Sequence, residues 1–213
     1  MHKKLLLTLV LASTTLLPLS AAAVIIDFDN ISTGSFTGPA SEDGFTYSLL
    51  SGALRGDASN GNPGGNMQGD QRAGGVLSIA RMGGGRFTFD GTDIASFEAF
   101  GIDVLFEGLL LGTVVGSDTF TTSFPPPPSS SPPSFDRWST HSSSGLAGIA
   151  IDELRVDLFG DGAGDRSAWA AVDNIVLTAV TGDPGNDVPE PTSLALLALG
   201  VAGAAARRRR RRA

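Results

Sequence analysis

Carboxylates dominate the reactive side chains of this 213-residue chain, and most other groups that catalysis uses are scarce. His2 and His141 are its two histidines, and it has no cysteine. His2 falls in an N-terminal stretch that reads as a removable signal, which leaves His141 alone in the mature chain, so thiol nucleophiles and multi-histidine zinc sites are ruled out. A serine-histidine-acid triad would have to be built on His141, which lies in Ser139-Thr140-His141-Ser142-Ser143-Ser144. No Gly-x-Ser-x-Gly elbow occurs, so this polar run reads as an exposed loop with its imidazole unemployed. Paired carboxylates for glycoside hydrolysis are defined by a separation of roughly 5 to 10 Å in space, and no pair is nominated by spacing. Asp157, Asp161 and Asp165 sit at intervals of four, whereas an EF-hand loop needs oxygens at alternate positions and a closing glutamate. A glycine-rich turn between the last two strands accounts for them. Sugar binding asks for flat aromatic platforms beside polar groups. Besides the phenylalanines, Tyr47, Trp138 and Trp169 are available. Trp169 opens an apolar strand and reads as core, while Trp138, between Arg137 and Ser139, is the candidate ligand contact. The expectation is no catalytic residue and a binding role.

Charge narrows the partners. The whole chain carries a formal −7, but Lys3, Lys4 and six terminal arginines lie in segments that read as signals. Seven arginines and no lysine then face 21 acids, Glu190 lying in the tail segment, a net charge of 7 − 21 = −14 and so near −15. Such a body repels phosphate backbones, which excludes nucleic acid bound through a basic patch, and it favours divalent cations. Without disulfides its stability must come from a hydrophobic core, aided or not by a metal.

The elements that would position these groups are strands. Short β-branched or aromatic runs bounded by Gly, Asp, Ser or Pro cover 24–28, 45–50, 76–79, 86–90, 97–106, 112–124, 146–159 and 168–180. Eight strands predict an all-β antiparallel sandwich, one domain over 24–181 with a single core. The run 170–176 is nearly continuous in apolar character and reads as a central strand buried on both faces. The Gly-, Asn- and Asp-rich stretch 56–75 lacks the order of a phosphate loop and reads as a long surface connection. The tract 125–133, PPPPSSSPP, reads as an exposed polyproline or irregular loop of the same sandwich; a hinge between two domains is the other reading.

The two ends read as addresses. Lys3 and Lys4 precede an apolar stretch from Leu5 to Leu19 and a small-residue site with Ala21 and Ala23 at the positions that signal peptidase reads. Residues 1–23 are thus a signal peptide, cut after Ala23 or Ala22. At the other end a linker, 182–187, leads to Val188-Pro189-Glu190-Pro191. The prolines hold that motif extended and accessible. An apolar, helix-forming run from Leu194 to Ala206 follows, about 20 Å long at ~1.5 Å per residue and short against a ~30 Å bilayer core. Arg207, Arg208, Arg209, Arg210, Arg211 and Arg212 close it and mark the cytoplasmic side. A short span suits a transient anchor awaiting cleavage; a tail anchor that is never cut is the alternative.

The order of these parts over 188–213 resembles the PEP-CTERM sorting signal, which implies export across the inner membrane, transient anchoring there and cleavage by an exosortase. The body's ends, Ile25-Ile26-Asp27-Phe28-Asp29 and Trp169-Ala170-Ala171-Val172-Asp173-Asn174-Ile175-Val176-Leu177, resemble the first and last strands of jelly-roll domains similar to galactose- and carbohydrate-binding modules. That resemblance implies a structural calcium held by Asp27, Asp29 and Asp173, with backbone carbonyls and water completing the shell; strand-end carboxylates accepting backbone hydrogen bonds are the alternative. It also implies a non-catalytic protein of the cell surface or extracellular matrix, associated with exopolysaccharide or biofilm and possessing glycan affinity. A secreted glycan-active hydrolase and a purely structural surface protein are the competing readings.

Overall fold

The computed structural model describes residues 22–62, 64–69, 74–96, 102–122, 138–158 and 170–180. The expected signal peptide up to Ala21, Asp161, Asp165, Trp169, the 125–133 tract and everything after Val180, including Val188 to Pro191 and the terminal arginines, lie outside them.

The described residues form thirteen strands and no helix, in two antiparallel sheets packed as a sandwich of jelly-roll type. The strands are β1 (Ala23–Ile26), β2 (Gly34–Phe36), β3 (Ala40–Glu42), β4 (Phe45–Gly52), β5 (Leu54–Gly61), β6 (Gly64–Gly69), β7 (Gly75–Arg81), β8 (Phe87–Ser96), β9 (Asp103–Leu110), β10 (Thr113–Thr121), β11 (Ser139–Ser142), β12 (Glu153–Asp157) and β13 (Ala170–Ala179). One sheet runs β11-β8-β13-β6-β5-β2, with β1 also on β13; the other runs β10-β9-β12-β7-β4-β3. Alternation along β4, β7, β9 and β12 turns Tyr47, Ile79, Phe106 and Val156 inward. Their partners from the first sheet include Phe89, Ile94 and Val172, all in one continuous core. Phe89 stacks on Phe106 at 5.0 Å and Phe45 meets Phe87 edge-on at 5.2 Å, the offset and T-shaped geometries that ring quadrupoles favour. The central strand is β13, whose residues Ala170 to Asp173 are all buried.

Three segments depart from the sequence reading. The glycine-rich stretch is no surface connection: it supplies β5 and β6, a hairpin inside the first sheet. Glycine is required there by close approach. A Cβ at Gly65 would strike the Phe28 carbonyl, one at Gly61 the Gly65 carbonyl, and one at Gly69 would lie 2.7 Å from the Leu158 oxygen. The 146–159 run yields only β12, because Leu146 to Ile149 closes a hydrogen-bonded turn with Gly148 at φ 70°. Finally, the polar run around His141 is not a loop but strand β11, paired to β8.

Candidate functional site

Strand β13 has two neighbours on one edge. Its start pairs with β6 (Ala171 with Gln68, Val172 with Met67) and its later part with β1 (Ile175 with Ile26, Thr178 with Ala23). At the fork the ladder is interrupted, with Asn174 at φ 48° and a bulge between Asp173 and Val176. Backbone groups freed there need partners, and side chains supply them. The buried Asp173 carboxylate accepts the amides of Asn62 and Asn174. The Asn174 amide group donates to the Asn62 carbonyl and to Asp93 Oδ2 at 2.9 Å. Asn62 Nδ2 reaches the same Asp93 oxygen at 3.2 Å. Asp29 Oδ1 takes the Gly65 amide at 2.8 Å and Asp27 Oδ1 the Asp29 amide at 3.0 Å.

Asp27, Asp29 and Asp173 are therefore brought to one place, around the tip of the β5–β6 hairpin. Burial pushes the Asp173 carboxyl up to about 7, against the lowering effect of its two amide donors, and the charges of Asp93 and Asp27 push the same way. Among the described residues no three histidine, aspartate or glutamate side chains converge as metal ligands.

A second buried acid adjoins the fork. Glu42 Oε1 accepts the Asp27 amide at 2.9 Å, while its Oε2 and the Tyr47 hydroxyl are buried without a hydrogen-bond partner. Burial, then the neighbouring Asp27 and Asp43, raises Glu42 to about 7; burial and the charges of Glu42 and Asp27 lift Tyr47 to about 12. Tyr47 is thus no sugar platform: its ring is enclosed by Phe28 and Phe36.

On the far side of β13, Trp138 packs its ring against Ala95 and Ala171 and is half-buried. Two residues further along the same strands, and so on the same face, are Asp93 and Asp173. Next to them a depression of about 230 Å³ opens where β11, β8 and β13 lie side by side, lined by Asp90, Asp93, Thr140, His141, Ser142 and Asn174. Trp138 does not line this depression itself but precedes the lining residue Thr140 by two positions on the same chain segment. His141 is far from unemployed: it stacks on Phe120 at 4.9 Å and its Nε2 lies 3.0 Å from Ser139 Oγ. Burial lowers its pKa, opposed by Asp93, so it is neutral at physiological pH.

Asn62, Asp93, Asn174 and Glu42 escaped the sequence reading. The Asn-Gly-Asn-Pro run at 60–63 is a strong hairpin signal and would have placed Asn62 at a turn. Nothing local marks Asp93 or Glu42, whose roles arise from strands distant in sequence.

Residues 187–211 match the PEP-CTERM protein-sorting motif. No curated protein sequence matches the chain. Among solved structures, it is similar to a DUF4465 family protein from Bacteroides caccae, with TM-score 0.48, 11% identity, and 75% of this chain and 100% of that one covered. It is also similar to a family 29 carbohydrate-binding module from Piromyces equi, with TM-score 0.45, 11% identity and coverage of 76% and 93%. A third is TmCBM61 in complex with β-1,4-galactotriose, with TM-score 0.37, 12% identity and coverage of 65% and 90%. The chain thus joins a two-sheet antiparallel β-sandwich body to a PEP-CTERM sorting motif, the tail of an exported protein.

Proposed function

We propose that this protein is carried across the inner membrane, cut near Pro189-Glu190-Pro191 by an exosortase, and released to the cell surface or extracellular matrix as a non-catalytic glycan-binding module. The observation that carries the binding half is the pairing of half-buried Trp138 with the adjoining cleft of Asp90, Asp93, Thr140 and Ser142. An aromatic flank offers a sugar ring its apolar face, and fixed hydroxyl and carboxylate groups accept and donate to its hydroxyls. The test is affinity electrophoresis of the processed protein in gels containing soluble polysaccharides. At least one should retard it, and Trp138→Ala should weaken that retardation about tenfold; equal mobility of both proteins in every gel would end the glycan reading.

For calcium, Asp27, Asp29 and Asp173 lie around the same fork, with only Asp173 buried and without converging as a ready ligand set among the described residues. Backbone carbonyls and water would have to supply most of its six or more oxygens. Its contribution would be structural, tying β1 and the β5–β6 hairpin to β13.

A further inference from the structure

We propose that the end of the sandwich at which the chain enters and leaves is a lipid-docking surface, which holds the body against the outer face of the membrane while the sorting tail is anchored. The inference rests on the reading of that tail as a membrane anchor. Ala23 pairs with Thr178, and the Val180 amide donates to the Arg86 carbonyl at 3.0 Å, so both chain ends emerge beside the β7–β8 hairpin. Thirteen residues, 181–193, separate Val180 from the apolar run that begins at Leu194, a reach of at most about 45 Å when fully extended. An anchored chain therefore brings this end of the sandwich nearest to the lipid headgroups.

The side chains displayed there suit that neighbour. The β7–β8 hairpin is Arg81-Met82-Gly83-Gly84-Gly85-Arg86, with Met82 57% exposed. Its arginines are two of only seven in the body. The β9–β10 hairpin turns at Leu111-Gly112, and it stands beside the first because Asp152 Oδ2 accepts the Leu111 amide while Ile151 pairs with Phe87. Leu111 is 83% exposed and sits at φ 53°, followed by Gly112 at φ 76°. Two-residue turns of this kind favour Asn or Gly in the first place. A leucine held there is strained and solvated at once, a combination that points to a contact outside the fold. Val114 and Val115 extend the apolar surface up β10. Asp43 and Asp152 share this end, so the attraction is apolar first, with Arg81 and Arg86 placed for anionic headgroups.

Because the chain lacks cysteine, single reporters can be placed at will. The full-length protein, reconstituted in phosphatidylethanolamine vesicles containing one quarter phosphatidylglycerol and headgroup-level spin-labelled lipid, would carry a fluorophore at Thr113→Cys beside Leu111. Ser51→Cys, exposed at the opposite end, is the control. The expected result is at least threefold stronger quenching at 113 than at 51, abolished by Met82→Asp with Leu111→Asp. Equal quenching at both positions in protein that floats with the vesicles would overturn docking while leaving the anchor intact. Protein that does not float would overturn the anchor reading, and this proposal with it.

Discussion

Glycines decide the geometry at the residue scale, and they separate into two kinds. Gly65 is glycine because the Phe28 carbonyl leaves no room for a Cβ, whereas Gly83 faces open space but holds φ 78°. Gly38 has neither constraint. Alanine should therefore cost about 2–3 kcal/mol at 65, where backbone and not a flexible side chain must yield, about 1 kcal/mol at 83, and nothing measurable at 38. Urea denaturation midpoints check the order; a Gly65→Ala protein as stable as Gly38→Ala would refute the packing of the β5–β6 hairpin on Phe28. The same residues explain why 56–75 misleads a reader of sequence. Glycine abundance signals a loop when judged by propensity, and only the partners that press on the strand, Phe28, Ile31 and Leu158, show that it marks close approach.

Buried acids govern the response to pH at this scale as well. Asp173 and Glu42 both hold their protons more tightly in the folded than in the unfolded state. Their favourable contribution is complete below about pH 4 and is lost as pH rises through about 7. With a chelator present, the melting temperature should climb from pH 8 to pH 5, and Asp173→Asn with Glu42→Gln should flatten the climb. His141, lowered by burial, works in the opposite sense below its ordinary 6.5 but carries no buried charge at neutral pH. Calcium, if it binds the fork, replaces protons. At pH 8, free ion a hundredfold above Kd would add about 2.7 kcal/mol, several degrees of melting temperature. A melt indifferent to calcium, or a rise that survives Asp173→Ala, would remove the ion from Asp27, Asp29 and Asp173.

Elements are held together by carboxylates acting as anchors. Asp118 on β10 accepts the Ser143 hydroxyl at 2.6 Å and the amides of Gly145 at 2.7 Å and Leu146 at 3.1 Å. Burial alone would raise its pKa; these donors outweigh burial and hold it below the ordinary value. The contact straps the segment 143–149 across edge strand β10, where Gly145 and Gly116 permit the approach. Asp118→Ala should cost about 3 kcal/mol, since several buried donors lose one acceptor. It should also weaken the loss of stability below pH 4, because a lowered carboxyl contributes only while ionised; an unchanged acid limb in a pH series of melts would contradict this. Sequence patterning was informative where strands alternate or run fully apolar, as in β7, β12 and β13. It failed where polar residues face inward for a reason supplied elsewhere: His141 on Phe120 and Asp118 on a distant loop have no local signature. Likewise, the fork at Asp173 depends on which strands flank β13, a matter of topology and not of spacing.

Across the whole molecule, one core joins Ile26 near the start to Leu177 near the end, with both sheets contributing. The described body should accordingly melt in a single cooperative transition, whether or not residues 188–213 are present; two transitions by calorimetry would break the one-domain reading. The tail was the most legible part of the chain, because its order of motif, apolar run and arginines is linear and needs no fold to be seen. The cleft beside Trp138 was half legible: the tryptophan could be named, but its companions Asp90, Asp93 and Thr140 are assembled by β8 pairing with β11. Export with processing at Pro189-Glu190-Pro191 is the claim on which the rest depends. Intact-mass spectrometry of the protein recovered outside the cells tests it most directly. The expected species begins at Val24 or Ala23 and ends near 188–191, and it disappears from that fraction, with full tail mass in the membrane, when Pro189, Glu190 and Pro191 are changed to alanine. An extracellular protein that still carries Arg207 to Arg212, or one whose C-terminus is unaffected by those changes, would contradict it.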